Sequence, residues 1–547
     1  MKKRKVLSWM LAIVLACSAL TGCGEAPAES SEAGTSGESV SAASEELGAV
    51  ETKGSTVTSD ETETEIHIAL NTQPPSLDAT MTTAAITSYV ATHVFEKLVS
   101  LKSDYTVGLE LAESYEHNED YTEQTYKLRQ GVLFHNGDEM KAEDVVASMN
   151  RWIDNYGQAK NMLGDARFEE VDDYTVKIVT ATPCMYLNEL IGYLGNGFIS
   201  PKEVIDATSA GETLSEYIGT GPYKFTEWVT DQYIRLDKFE EYVPYAEESD
   251  GWWGKKEANI QTLFYEIVTD DSTRVAGMMN GDYDVALNMP QDNYDMLANN
   301  EDIKTYKALW ASPILVFNKA EGISTDVNLR KAIQAALDME EIMMAGYASD
   351  EFYNLSSCDM YPQQTNWYTT VGSEYYNQNN QELAKEYLAQ SDYNGETFKI
   401  LCTTDYSDLM AIAVVIENQL ENIGINVEIE SYDWATFLTY RSDPSTFDAY
   451  VSTYVPVMVP SMTLYMGAEY AGWYRDEYAQ KCLADITSST DIAAAFKIWE
   501  ELEEYNLSTA VPYCKLGESY NYSVSTSKLD NMGTFQAPTF FNAVLYK

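Results

Sequence analysis

Four histidines, His67, His93, His117 and His135, are the only imidazoles in the 547-residue chain, and all precede residue 136. Hydrolytic nucleophiles are commonly activated by a neighbouring histidine, and residues 311–509 contain no such activator of their own. No G-x-S-x-G elbow, H-E-x-x-H helix or EF-hand loop occurs. With 86 acidic residues, paired carboxylates are inevitable, and glycosidase chemistry is neither supported nor removed by counting them. Gly219-Thr-Gly-Pro-Tyr223 resembles a glycine loop but lacks the Lys-Ser/Thr of a phosphate cradle. A tight return into a strand from Tyr223 is the better expectation. Cys184, Cys358, Cys402, Cys482 and Cys514 are odd in number, without C-x-x-C or metal-like spacing, and read as buried small hydrophobes. No metal site and no cofactor is expected. The excess is aromatic: 40 Tyr, 16 Phe and 10 Trp. Rings give a large stacking area with few rotors to immobilise, which is binding chemistry rather than bond-making chemistry.

The charge balance narrows the partner. A net charge of −51 excludes a nucleic-acid partner, whose phosphates need clustered Lys and Arg. Leaving out residues 1–65, 30 bases face 75 acids, a net −45. That potential disfavours anionic ligands. The N-terminus is of another kind. Met1-Lys-Lys-Arg-Lys5 is basic, Val6–Leu20 is apolar but too short to span a bilayer, and Leu20-Thr-Gly-Cys23 looks like a lipobox. Residues 1–22 are therefore expected to be a lipoprotein signal peptide and Cys23 the lipidated residue. Residues 23–65 hold eleven acids against Lys53 and scarcely a large apolar side chain, the composition of a disordered acidic tether.

Beyond Glu65 the patterning becomes globular. Tyr126 and Leu128 alternate with polar residues, Asn136-Gly137 supplies a turn, and Val145, Val146, Met149, Trp152 and Ile153 make one helical face. Glu143 and Asp144 sit in that helix's first turn, where carboxylates meet the positive end of the dipole. Ile66–Leu70 and Ile314–Phe317 read as strands, and Val327–Met344 as one long helix. Phe398–Leu401, the helix through Leu409, Ile412, Ile416 and Leu420, and Ile425–Ile429 form a strand–helix–strand unit, hence a parallel crossover.

The run L-R-x-G-V-x-F-H-x-G from Leu128, followed by Ala142-Glu-Asp-Val145, resembles the signature of the extracytoplasmic solute-binding proteins of family 5, the peptide, dipeptide and nickel receptors of ABC importers. Further matches follow in order: Ser76-Leu-Asp78, Gly219–Tyr223, Gly281-Asp-Tyr-Asp284, Leu329–Ile333 and Ile423-Gly-Ile425. The resemblance implies an α/β, two-lobed periplasmic-binding-protein-like fold with an extra subdomain and a hinge. Lobe I would combine residues 66–104, 215–310 and 510–547, with a subdomain at 105–214. Lobe II would be 311–509, and the hinge would lie where the chain crosses near Trp310 and Ala510. His135, inside the signature, is expected to be a satisfied structural histidine rather than a ligand.

The resemblance also implies a cleft lined by Thr82, Thr83, Trp310, Asp405, Tyr406, Trp434, Tyr454 and Met458. Dipeptide receptors of the family hold the free carboxylate with an Arg after the strand matching Phe398–Leu401; here Cys402–Asp408 contains none. They hold the free amine with an Asp after a Gly-Trp pair; here Ser452–Pro460 contains no acid. A buried terminal charge without its counter-ion is costly, so a dipeptide gripped at both ends is not expected. An oligopeptide held by main-chain contacts fits, and so does an oligosaccharide stacked on Tyr and Trp. A secreted carbohydrate-active enzyme is the reading from another class. The expected protein is a monomeric, non-enzymatic receptor, anchored to the outer face of a bacterial membrane and delivering its solute to the ABC transporter permease subunits.

Overall fold

The computed structural model describes residues 50–82, 84–193 and 197–547. The expected signal peptide, Cys23 and the first part of the expected tether lie outside the described residues, as does Thr83. Among the described residues no helix is long and apolar enough to cross a membrane.

The signature stretch builds a small unit of its own. Glu123–Leu128 is an inner strand of a four-stranded antiparallel sheet, between Ala112–His117 and Thr175–Val179, with Phe168–Asp172 at the far edge. The helix Ala142–Asn155 lies over it. Val145, Met149, Trp152 and Ile153 on its inner face are fully buried, while Val146 is half-buried at the margin. Asp144 does more than meet the dipole: its carboxylate accepts from the backbone N–H groups of Lys141 (2.9 Å) and Lys202 (2.7 Å). It thereby joins two helix starts. His135 donates through Nε2 to the carbonyl of Gly221 (2.9 Å) and accepts at Nδ1 from the N–H of Gly219 (3.3 Å). That satisfied histidine couples the signature to the glycine loop. A Cβ on Gly219 would stand 2.1 Å from the carbonyl oxygen of Val94, which is why glycine is required there. The loop does return into a strand, Tyr223–Val229.

The large sheet runs, edge to edge, through Asn426–Tyr432, Thr397–Thr403, Ala449–Tyr454, Ile303–Phe317, Glu518–Thr526, Val285–Ala286, Glu65–Leu70, Thr262–Ile267, Tyr233–Lys238 and Tyr223–Val229. Ile303–Phe317 carries the sheet from one half of the fold to the other. Through Ala311 it pairs with Glu518–Thr526; from Ser312 it pairs with Ala449–Tyr454. The register slips between Leu309 and Ala311, which puts Trp310 at a bulge. The return passage at Ala510 is irregular as well. A π-helical turn, Asn506–Ala510, is followed by Val511 at φ 41°, an unfavourable conformation for a β-branched residue. Arg330 steadies it, donating from Nε to the Val511 carbonyl and from Nη2 to that of Ala510, both at 2.9 Å.

Thr397–Thr403, the helix Ser407–Glu421 and the parallel strand Asn426–Tyr432 form the expected crossover unit. Two expectations need correction. Val327–Met344 is two helices, Val327–Ala336 and Met339–Tyr347, because the Asp338 side chain accepts from the N–H of Glu341 and starts a new helix. Nor does disorder extend to Glu65. Val50–Lys53 pairs antiparallel with Thr305–Ala308, and Val57 and Glu63 donate to the carbonyls of Ser527 and Leu545. An extended segment needs only main-chain groups to fill a vacant strand flank, so its poverty in apolar side chains did not prevent docking. All five cysteines among the described residues are free and buried.

Candidate functional site

A cavity of about 280 Å³ lies beside the C-terminal end of the strand Ala449–Tyr454. That strand feeds Val455-Pro456-Val457, where Pro456 cannot continue a ladder. Two short turns follow, Pro460–Met462 and Leu464–Met466, and together these segments bring Tyr454, Thr463 and Tyr465 to one wall. Tyr156, which ends the signature helix, Tyr193, which ends the helix Leu187–Gly192, and Thr82 face them. Ser312 of the crossing strand lines the cavity too, with Asp359 and Tyr361 from an irregular loop.

The polar groups on these walls are differently satisfied. Tyr193 Oη donates to the carbonyl of Pro456 at 2.7 Å, and Tyr454 Oη shares hydrogens with Tyr450 (2.9 Å) and Tyr470 (3.4 Å). Asp359 accepts from Tyr465 Oη at 3.0 Å on one carboxylate oxygen and from Tyr513 Oη on the other. Thr463 Oγ1 is buried and has no hydrogen-bond partner among the described residues, whereas Tyr361 Oη has the Ser312 hydroxyl beside it. Burial raises the phenols of Tyr193, Tyr361, Tyr454 and Tyr465 well above their ordinary value, keeping them neutral donors.

Behind the tyrosines sits a buried charge cluster. Lys515 pairs with Glu518 at 2.8 Å; burial disfavours its ammonium, but Glu518 and Asp359 more than offset that and hold it charged. Burial raises Glu503 well above the carboxylate range, with Asp359 adding to it, so Glu503 is held neutral. Asp359 is raised by burial and drawn back by Lys515 and its two phenol donors. No Lys, Arg or His lines the cavity among the described residues. Among the described lining residues no nucleophile is paired with a base. The arrangement can enclose, stack and hydrogen-bond.

Of the residues singled out in the sequence, Thr82 and Tyr454 reach the cavity wall. Met458 is buried in the core just beyond Val457. Asp405, Tyr406 and Trp434 do come together, but elsewhere. Asp405 accepts from the Trp434 N–H at 2.9 Å, while Tyr406 meets Trp434 edge-on (ring centroids 5.3 Å apart) and Trp434 stacks on Phe437 (5.1 Å). They follow the two outermost strands at that edge of the sheet, Thr397–Thr403 and Asn426–Tyr432, and line no part of the cavity. Trp310 is half-buried at its bulge, off the wall as well. Asp359, Tyr361, Tyr156, Tyr193 and Tyr465 were not anticipated. They lie in turns and helix ends without periodicity, where only the density of tyrosine between Tyr454 and Tyr470 offered a signal.

The family model described as bacterial extracellular solute-binding proteins, family 5, middle, matches residues 106–474. The oligopeptide-binding protein AppA of Bacillus subtilis (strain 168) is 24% identical over 492 residues, covering 84% of this chain and 87% of that protein. The structure of AppA from Bacillus subtilis in complex with a nonapeptide superposes with a TM-score of 0.70 at 22% identity, covering 89% of this chain and all of the other. AgaA from A. tumefaciens R10, in complex with agropinic acid, superposes equally well, at 0.70 and 22% identity over 88% of this chain and 99% of that one. The fold is thus the two-lobed α/β architecture of periplasmic binding proteins.

Proposed function

Because the chain belongs to the bacterial extracellular solute-binding proteins of family 5, we propose that it is a lipid-anchored receptor that encloses a small solute in the tyrosine-lined cavity and delivers it to an importer's permease. It is a binding protein, not an enzyme, with a solute-binding role in an ABC importer. The observation that carries the placement of the solute is the cavity itself. Segments far apart in sequence converge on it, bringing Tyr156, Tyr193, Tyr361, Tyr454, Tyr465 and Asp359 to its walls. At about 280 Å³ it sits near the lower bound of pockets that take small molecules, roughly 300–1,000 Å³. A short peptide, or a solute of that size, suits it better than a long one. The hinge falls at the Trp310 bulge and the Ala510–Val511 turn, the two irregular crossings. Lipidation at Cys23 would hold the monomer at the outer face of the membrane.

Native mass spectrometry of the purified protein tests this. The expected spectrum shows a small-molecule adduct that denaturation releases and Tyr454→Ala loses. Turnover of a peptide or glycan, abolished by one carboxylate substitution, would overturn the receptor reading.

A further inference from the structure

We infer that Lys97 is a positioning residue for the cavity, its buried ammonium gripping the end of the helix Leu187–Gly192 and so fixing Tyr193 against Pro456. This rests on the cavity being the solute site. Lys97 is 2% exposed and lines no part of the cavity. Its Nζ donates to the carbonyls of Gly192 and Tyr193, both at 2.9 Å. Carbonyls at a helix's C-terminal end have no partner within the helix and carry the negative end of its dipole. A cation is what they lack. The ammonium also sits over the rings of Phe198 (5.2 Å) and Trp252 (4.9 Å). Tyr193 is thereby held at three points. Its N–H donates to the carbonyl of Glu189 (3.1 Å), its own carbonyl accepts from Lys97, and its Oη donates to Pro456.

The groups around Lys97 make that grip depend on its proton. Glu110 accepts from the Lys97 main-chain N–H (2.8 Å) and Ser100 Oγ (2.7 Å) on one oxygen, and from Lys256 Nζ on the other. Lys256 in turn lies 3.9 Å from Glu96. No carboxylate among the described residues bonds the Lys97 ammonium itself, which is spent on the helix end. Burial lowers that ammonium to about 7, with Glu110 raising it and Lys256 lowering it further. Near neutral pH it therefore stands between ammonium and amine. An amine still donates, but without the charge that makes such bonds short and strong, and aromatic faces hold it less well. The grip slackens as pH rises through that value. Glu189, within the same helix, titrates in the same range, burial raising it to about 7. A test must separate the two.

Pro456-Val457 is the only Pro-Val pair in the chain. Labelling proline carbonyls with carbon-13 and valine with nitrogen-15 therefore gives one amide signal that reports the Pro456 carbonyl and the bond it accepts. In the full chain this signal should move as pH rises from about 6 to about 8.5, either side of the Lys97 value. It should move toward its position in Tyr193→Phe, where the bond is absent and no step is expected. In Lys97→Met it should sit near that position throughout, whereas Glu189→Gln should keep the step. A merely structural lysine would change stability without moving this signal. No step in the parent, a step that survives Lys97→Met or Tyr193→Phe, or one lost in Glu189→Gln overturns the inference. The parent, Tyr193→Phe and Glu189→Gln decide the matter even if Lys97→Met does not fold. The solute adduct in native mass spectra links the bond to binding. Lys97→Met should deplete it about as far as Tyr193→Phe does, and the double variant no further. An adduct lost in Tyr454→Ala but full in Lys97→Met would overturn the inference and leave the cavity as the solute site. An adduct indifferent to Tyr454→Ala, with the carbonyl step intact, would sink the cavity reading and leave Lys97 holding Tyr193.

Discussion

Tyr193 donates its phenol hydrogen to the carbonyl oxygen of Pro456 at 2.7 Å, across 263 positions of sequence. The bond links the signature unit to the loop that ends Ala449–Tyr454, and both residues line the cavity. Tyr193→Phe keeps the ring and deletes only this link. A single intramolecular hydrogen bond contributes about 0.5–1.5 kcal/mol, so solute affinity should fall roughly two- to tenfold with melting almost unchanged. Calorimetry beside a thermal scan reads both, and an unchanged affinity would show that this bond does not hold the closed cavity.

Trp434 is expected to act through packing. It stacks on Phe437 and holds Tyr406 at its edge, away from the cavity. A fully buried Trp→Ala costs about 3–5 kcal/mol. Half-buried Trp434→Ala should cost less, about 1–3 kcal/mol on that scale, with affinity intact. Lost affinity at unchanged stability would return Trp434 to the site.

His93 should give the fold an acid sensitivity. Burial lowers its imidazole to about 3, aided by the nearby Lys256 ammonium, against backbone hydrogen bonds to the Val90 and Tyr89 carbonyls that raise it. Its Nε2 accepts from the Phe540 N–H at 2.9 Å and its Nδ1 meets Tyr265 Oη at 3.2 Å. The unfolded chain protonates this residue near the ordinary value of about 6.5, and the folded chain does not. Stability is therefore complete above that value and declines as pH falls toward 3. Between pH 7 and pH 5 the wild type should lose about 2 kcal/mol more than His93→Gln. Urea midpoints at the two pH values measure it, and parallel profiles would count against it.

Cys23→Ser should move the protein from the membrane fraction to the soluble fraction with its melting temperature unchanged. Two acyl chains anchor a protein stably where none does. Continued pelleting with membranes would remove Cys23 as the anchor.

The elements legible in the sequence were those with strong periodicity. The signature helix buried its Val145–Ile153 face, and the crossover around Ser407–Glu421 formed as its pattern dictates. Where a capping side chain competes with an apolar run, periodicity misleads, as Asp338 shows by dividing Val327–Met344. The site was harder to read because its walls are not periodic. Thr82 and Tyr454, expected from the resemblance to a cleft, line the cavity, whereas Asp359 and Tyr361 reach it from an irregular loop that no sequence pattern marks. Trp434 and Tyr406 illustrate the converse. They follow strands that lie outside Ala449–Tyr454 in the sheet order, and they line no part of the cavity.

Val50–Lys53 also sets where the molecule bears load. Its four residues zip onto Thr305–Ala308, a few positions ahead of Ser312 on the cavity wall. Tension applied to the chain ahead of Val50 is resisted first by that short ladder and passes directly into the strand that spans both halves of the fold. Only after the ladder unzips does the pull reach Val57 and Glu63, which are tied to the carbonyls of Ser527 and Leu545. Between those two ties Lys547 grips Glu61 at 3.2 Å, so the first and last segments of the described chain form one clasp.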